Sequence, residues 1–396
     1  MKSTRFAGLA LALILLVAGC STPAAPSPTP SPAPSAPAPS ESPSPEPSES
    51  PSAPPPSSAP EVDWQAADVP GSENASSTVT IVPGGEGLVA IGFNGGFGSI
   101  LWTSPDGGRT WTDVTPEGFA AIGIASVVEH DGRLVGVGRG DTINVDANRA
   151  AVYLSDDGLT WREAEGAAGL EGQLIDVVAT DDGFFAVGGV PGADAAGVWR
   201  STDGETWERT GGDFEHAFMW AIAEGGPGLV AVGWRRNPDP DLAVWTSADG
   251  VSWELAPDPE AFAGYEATDV IDLDGTMAMV GSSFTGEGGQ VWFSDDGLTW
   301  ELADLAGTMT GGAYARGLAR IPGGLVAVGG GGSMQGMAWF SPDGRSWQPL
   351  GDPVPNAFFN AAHAIGDEVL LTGATQDGTL ETGIQAHAMV WTGTLE

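Results

Sequence analysis

Few residues in this chain could do chemistry, and those that could are carboxylates, arginines and aromatic rings. One cysteine, Cys20, cannot close an intrachain disulfide or build a zinc–cysteine site, and the only lysine, Lys2, lies at the extreme N-terminus. The four histidines, His130, His216, His363 and His387, show no metal-ligand spacing. Asp141, Asn144, Asp146 and Asn148 in "DTINVDANR" offer oxygen ligands of the kind calcium favours, but without EF-hand spacing or its glycine. A solvated polar loop is the simpler reading, so no metal and no cofactor is expected. Two groupings remain. Asp176 and Asp269 form a potential carboxylate pair, while Trp220, Trp234, Arg235, Arg236 and His216 bring rings and cations together, with Tyr314 and Arg316 in the nearby segment "GAYARG".

The elements that must position these residues repeat. "SPDGGRTW" at 104–111 returns as "SDDGLTW" (155–161), "STDGETW" (201–207), "SADGVSW" (247–253), "SDDGLTW" (294–300) and "SPDGRSW" (341–347), with the tryptophans 46 to 50 residues apart. A second column is aromatic: Trp102, Tyr153, Trp199, Trp245, Trp292, Trp339 and Trp391. A third is a glycine closing an apolar alternating run: Gly92, Gly138, Gly188, Gly233, Gly281, Gly329 and Gly373. Seven glycines accompany six Asp-Gly-Trp turns, and "VDWQAADVP" at 62–70 looks like the strand that follows such a turn. The N-terminal segment should therefore supply the outermost strand of the last unit. Seven units of four short strands predict an all-β fold, a seven-bladed β-propeller over 62–396.

In the repeated turn, Ser and Asp side chains can accept backbone N–H groups, Gly supplies a positive φ, and Trp packs on the sheet. These segments resemble the Asp-box (BNR) repeats of sialidases, sortilin-type receptors, xyloglucanase-like glycosidases and photosystem II stability/assembly factors. Only 104–111 keeps the full S-x-D-x-G-x-T-W spacing; the others are one residue shorter. The resemblance implies that Asp106, Asp157, Asp203, Asp249, Asp296 and Asp343 are structural and lie opposite the usual ligand face. It also raises sialidase-like or other glycoside hydrolase activity as the alternative to a binding role. Against a sialidase, 62–103 holds no arginine, and Arg320-Ile321-Pro322 falls in the sixth unit, in a strand-to-strand turn. Tyr153 belongs to the aromatic column, leaving Tyr265 and Tyr314 without an evident partner for a nucleophilic role.

Counting back from the glycine column places Thr80, Ser126, Asp176, Ala221, Asp269, Gly317 and Ala361 at equivalent points of the innermost strands. Asp176 and Asp269 would then face the channel two blades apart, where polar residues more often meet water than catalyse. Trp220 and Trp234 are the two tryptophans that break the repeat, and both should emerge opposite the Asp-Gly-Trp turns with Arg235 and Arg236.

The chain opens "MKSTRFAGLALALILLVAGC", a basic start, an apolar run too short to span a bilayer comfortably, and Val17-Ala18-Gly19-Cys20, which matches a bacterial lipobox. Residues 1–20 are read as a lipoprotein signal peptide with Cys20 lipidated, and 21–61 as a disordered Pro/Ser/Ala-rich tether. The formal charge of −38 becomes −40 once Lys2 and Arg5 are removed, a surface that disfavours nucleic acid and anionic headgroups. The expectation is a monomer held to the extracytoplasmic side of the cell membrane by its lipid alone, binding a protein or glycan. Cys20→Ser is expected to shift the protein from the membrane to the soluble fraction in a fractionation assay; membrane retention with the signal cleaved would refute the anchor.

Overall fold

The computed structural model describes residues 60–395, apart from 72–74, 95–97, 141–148, 191–192, 213, 237, 258–259, 306–308, 310–311, 333 and 380–382. Cys20, the tether before residue 60 and the Asp141 loop lie outside the described residues. Seven antiparallel sheets of four radial strands form a seven-bladed propeller; blade 6 also carries the short strand Val354–Pro355. The innermost strands of blades 1 to 7 are Ala75–Gly84, Gly123–His130, Gln173–Thr180, Ala217–Gly225, Tyr265–Asp272, Tyr314–Ile321 and Ala357–Ile365. Blade 7 takes its outermost strand from the other end of the chain. Gln65–Asp68 pairs antiparallel with Gly383–Thr394, placing Ala66 opposite Trp391. Trp64 helps fix this closure, donating from Nε1 to the Leu350 carbonyl at 3.4 Å and packing with Val62 on the cluster that holds Trp391.

The core is divided among the blade interfaces. Seven hydrophobic clusters are present among the described residues, each made by two neighbouring blades, because a blade covered on both faces must be apolar on both. The second strand of blade 3, Gly183–Val190, is accordingly buried along its whole length. The outermost strands of blades 1 to 5 are two residues long and largely exposed, which limits edge-to-edge pairing.

Each repeated turn satisfies itself. In "SDDGLTW", Asp157 Oδ1 accepts the amides of Leu159 (2.8 Å) and Thr160 (2.6 Å), Ser155 Oγ accepts the Gly158 amide (2.8 Å), and Trp161 Nε1 donates to the Gly158 carbonyl (2.8 Å). The amide of Thr160, followed by that of Leu159, holds the Asp157 carboxyl below its usual range although burial opposes it. The Trp-to-Gly bond recurs in all six turns.

The glycine column has a sharper cause. Every innermost strand carries a β-bulge, and the glycine of the second strand pairs opposite the residue just before it, Gly233 with Met219 for example. A Cβ on Gly138 would stand 1.8 Å from the Gly123 carbonyl oxygen, and one on Gly233 2.0 Å from that of Phe218. Gly138→Ala should therefore lower stability by about 3 kcal/mol. Gly211→Ala, where nothing lies within 4 Å, should change it little. Thermal or urea unfolding of the two variants checks this, and similar melting of both would contradict the bulge account.

Candidate functional site at the channel mouth

The Ser-x-Asp-Gly turns and the turns between first and second strands share one face; the bulges lie toward the other. Two positions per blade shape that second face around the channel, the residue whose carbonyl abuts the glycine and the bulged residue. They are Ser77 and Val79, Gly123 and Ala125, Gln173 and Ile175, Phe218 and Trp220, Glu266 and Thr268, Tyr314 and Arg316, and Phe358 and Asn360. Blades 1 to 3 offer small, aliphatic or amide side chains. Blades 4 to 7 supply four aromatic rings, a carboxylate and a guanidinium.

These residues join into an arc. Phe218 lies 4.6 Å from Trp220 and stacks at 13° on Trp234, with ring centroids 6.5 Å apart. Gly189 of blade 3 leaves the space that the Phe218 ring fills, since a Cβ there would come within 2.5 Å of it. Trp220 Nε1 donates to Glu266 Oε2 at 3.0 Å. Burial raises the Glu266 carboxyl, opposed by the Trp220 hydrogen bond and by the charge of Arg316. The Arg316 guanidinium lies 5.5 Å from the Tyr314 ring centroid and 5.9 Å from that of Phe358, and its Nη1 donates to Asn360 Oδ1 at 3.2 Å. Asn360 Nδ2 in turn donates to Ser77 Oγ and the Thr78 carbonyl. Trp220, Trp234, Tyr314 and Arg316 thus belong to one continuous surface, although Phe218, Glu266, Phe358 and Asn360 were not singled out from the sequence. Their signal was present, because Phe218, Glu266 and Phe358 stand 15 residues before a column glycine and Asn360 stands 13 before it, as Trp220 and Arg316 do before theirs.

The other cations are arranged differently. Arg236 donates to Asp194 of the neighbouring blade, 2.9 Å from Oδ2, and His216 Nδ1 lies 2.7 Å from the same oxygen. The His216 bond and the Arg236 charge hold the Asp194 carboxyl low despite desolvation. His216 adopts a positive φ of 55°, as Asn356 does at 54° before blade 7, so this position serves the chain's entry into the blade. Arg235 pairs across the sheet opposite Asp241. Arg320 binds Asp274 on the face opposite the mouth.

Asp176 and Asp269 act as brackets between blades. Asp176 accepts from Ser126 Oγ at 2.7 Å and from the Ile222 amide at 3.0 Å; Asp269 accepts from the Val270 amide at 2.8 Å and the Leu318 amide at 2.7 Å. Each therefore ties its own blade to the free edge of the next. Both are half-buried by surface yet densely surrounded. Burial raises Asp176, against the Ile222 and Ser126 bonds, and pushes Asp269 up to about 7, with the charge of Asp176 adding and the Leu318 amide opposing. Two surface pockets, of about 450 and 290 Å³, lie on the turn face, lined in part by Arg109 and Glu368 and by Arg133 and Asp157. Neither contains the carboxylate pair or the aromatic arc. Among the described residues, no three His, Cys, Asp or Glu side chains are grouped to hold a metal ion.

No family model matches the chain, and no curated protein matches it. Solved structures do. Two of virginiamycin B lyase from Staphylococcus aureus, one a catalytically inactive variant with quinupristin, show 10% identity over 85% of this chain and 100% of theirs, with TM-scores of 0.57 and 0.60. Phage phi92 endosialidase shows 11% identity over 85% of this chain and 70% of its own, at 0.51. A xyloglucanase from Xanthomonas campestris shows 20% over 82% and 55%, at 0.50. What they share with this chain is the propeller fold.

The bracket assignment carries a pH dependence. Asp269 has its folded pKa raised from 3.8 to about 7, so between those values the folded state binds more protons than the unfolded chain. Its contribution therefore falls as pH rises through that window. Asp269→Asn, which keeps an oxygen for one amide and turns an NH2 group toward the other, should be less stable than the parent at pH 4, and the deficit should narrow as pH rises to 7. Thermal melts across this range test it; a difference between variant and parent that does not change with pH would contradict the raised pKa.

Proposed function

We propose that this protein is a lipid-anchored, extracytoplasmic binding module that holds a protein or glycan ligand at the half of the channel mouth built by blades 4 to 7. One observation carries the reading. At two equivalent positions per blade, rings and charges are confined to four neighbouring blades, whereas the glycine–carbonyl contact that sets those positions is the same in all seven. Aromatic faces beside a guanidinium suit recognition, since they provide contact area at low conformational cost. The lipobox at Cys20 and the proline-rich tether support a membrane-attached address. Fold likeness supplies no ligand, because propellers host enzymes and scaffolds alike.

A glycoside hydrolase is the second reading, favoured by one observation, a carboxyl raised to about 7 in Asp269 and influenced by Asp176, as a general acid requires. Its oxygens are occupied by amides, which favours the bracket role. Capture on a glycan array and from extracytoplasmic extract, using the purified full chain, tests the binding reading. Trp220→Ala with Phe358→Ala should abolish capture that Arg133→Ala, on the opposite face, retains. Equal capture by both variants would remove the mouth from consideration, and sialoside or glucan turnover lost in Asp269→Asn would establish the hydrolase.

A further inference from the structure

Arg316 differs from most arginines of this acidic surface. Eight others, from Arg109 with Glu368 to Arg345 with Glu301, lie within salt-bridge reach of a carboxylate. Arg316 is exposed, and among the described residues its hydrogen-bond partner is the neutral amide of Asn360. Tyr314 and Phe358 bear on the guanidinium and restrict it, which leaves planar N–H donors of fixed direction, the geometry that matches a carboxylate. Glu266 is near enough to feel its charge but is hydrogen-bonded to Trp220.

Several polar groups of the arc are bonded to one another. Trp220 Nε1 is given to Glu266, while Asn360 accepts from Arg316 and donates to Ser77 and Thr78. Beyond these bonds the mouth offers the other donors of one guanidinium, the second Glu266 carboxylate oxygen, the Tyr314 hydroxyl, Trp234 Nε1 and the faces of half-buried rings at Phe218, Trp220 and Trp234. A hydroxyl can take only one of the guanidinium's parallel donors, whereas a carboxylate takes two at once. A polyanion would be repelled by a surface with a formal charge of −38 for the whole chain.

Resting on the proposal that the mouth is a binding site, we infer that its ligand is a monocarboxylate on an apolar or aromatic body, the carboxylate on Arg316 and the body on the rings. The C-terminus of a polypeptide ending in an apolar residue and a small aromatic acid share this chemistry.

Calorimetric titration of the full chain at pH 7.5 with N-acetylphenylalanine and its amide separates the carboxylate from the ring. The acid should bind about tenfold tighter than the amide. Arg316→Gln should erase that difference, and Arg316→Lys, which keeps charge but loses the planar fork, should restore part of it. Glucuronate should bind more weakly than N-acetylphenylalanine. A tripeptide ending in phenylalanine that binds tighter still identifies a polypeptide terminus as the source; equal affinity identifies the small acid. No binding of the acid, equal binding of acid and amide, discrimination that survives in Arg316→Gln, or tighter binding of glucuronate would each overturn the inference. If acid and amide bind equally and Trp220→Ala loses both, the carboxylate assignment fails while the mouth remains a ligand site.

Discussion

A glycine Cα pressed against a main-chain carbonyl oxygen is the contact on which the rest of this propeller depends. In every blade the innermost strand bulges, its carbonyl comes where a Cβ would otherwise stand, and only glycine fits beneath it. The bulge re-aims the strand, so that one side chain before it and the bulged residue itself are offered to the channel mouth. Packing thus fixes where those positions are without fixing what occupies them. That freedom is what allows four blades to carry rings and charge while three carry small or aliphatic residues.

The ring is held together by apolar layers and sharpened by polar brackets. Each blade interface has its own hydrophobic cluster, so the stability of one interface depends on both neighbours, and Gln65–Asp68 completes the last. Across the inner edge, Ser126 and Asp176, Trp220 and Glu266, Asp269 and Leu318, Arg316 and Asn360, and Asn360 and Ser77 pass hydrogen bonds from blade to blade. Groups at the mouth therefore serve cohesion, and in the function proposed here the same groups would meet the ligand. Arg316 is the clearest case, bonded to its neighbour on one side and open on the other.

Much of this was legible in the sequence because the repeat supplies its own alignment. Three columns gave seven units, and the surplus glycine over the Ser-x-Asp-Gly turns located the closing strand, observed at Gln65–Asp68. Trp220 and Trp234 stood out as departures from the columns, and the structure brings them together through Phe218. Other contacts were not legible. Arg236 reaches Asp194 across a blade boundary, and Asp176 and Asp269 face neighbouring amides, pairings set by the rotation between blades rather than by spacing along the chain. Phe218, Glu266, Phe358 and Asn360 escaped notice because an isolated Phe or Glu in a strand is ordinary; only the bulge gives their offset meaning.

Hydrogen exchange of the full chain with and without a captured ligand addresses the central claim most directly, since it reports where the ligand sits without altering a residue. Protection should concentrate at the mouth ends of the innermost strands of blades 4 to 7, Ala217–Gly225, Tyr265–Asp272, Tyr314–Ile321 and Ala357–Ile365, and leave blades 1 to 3 unchanged. Protection confined to the Ser-x-Asp-Gly turns, or spread evenly over all seven blades, would contradict a binding site at this half of the mouth.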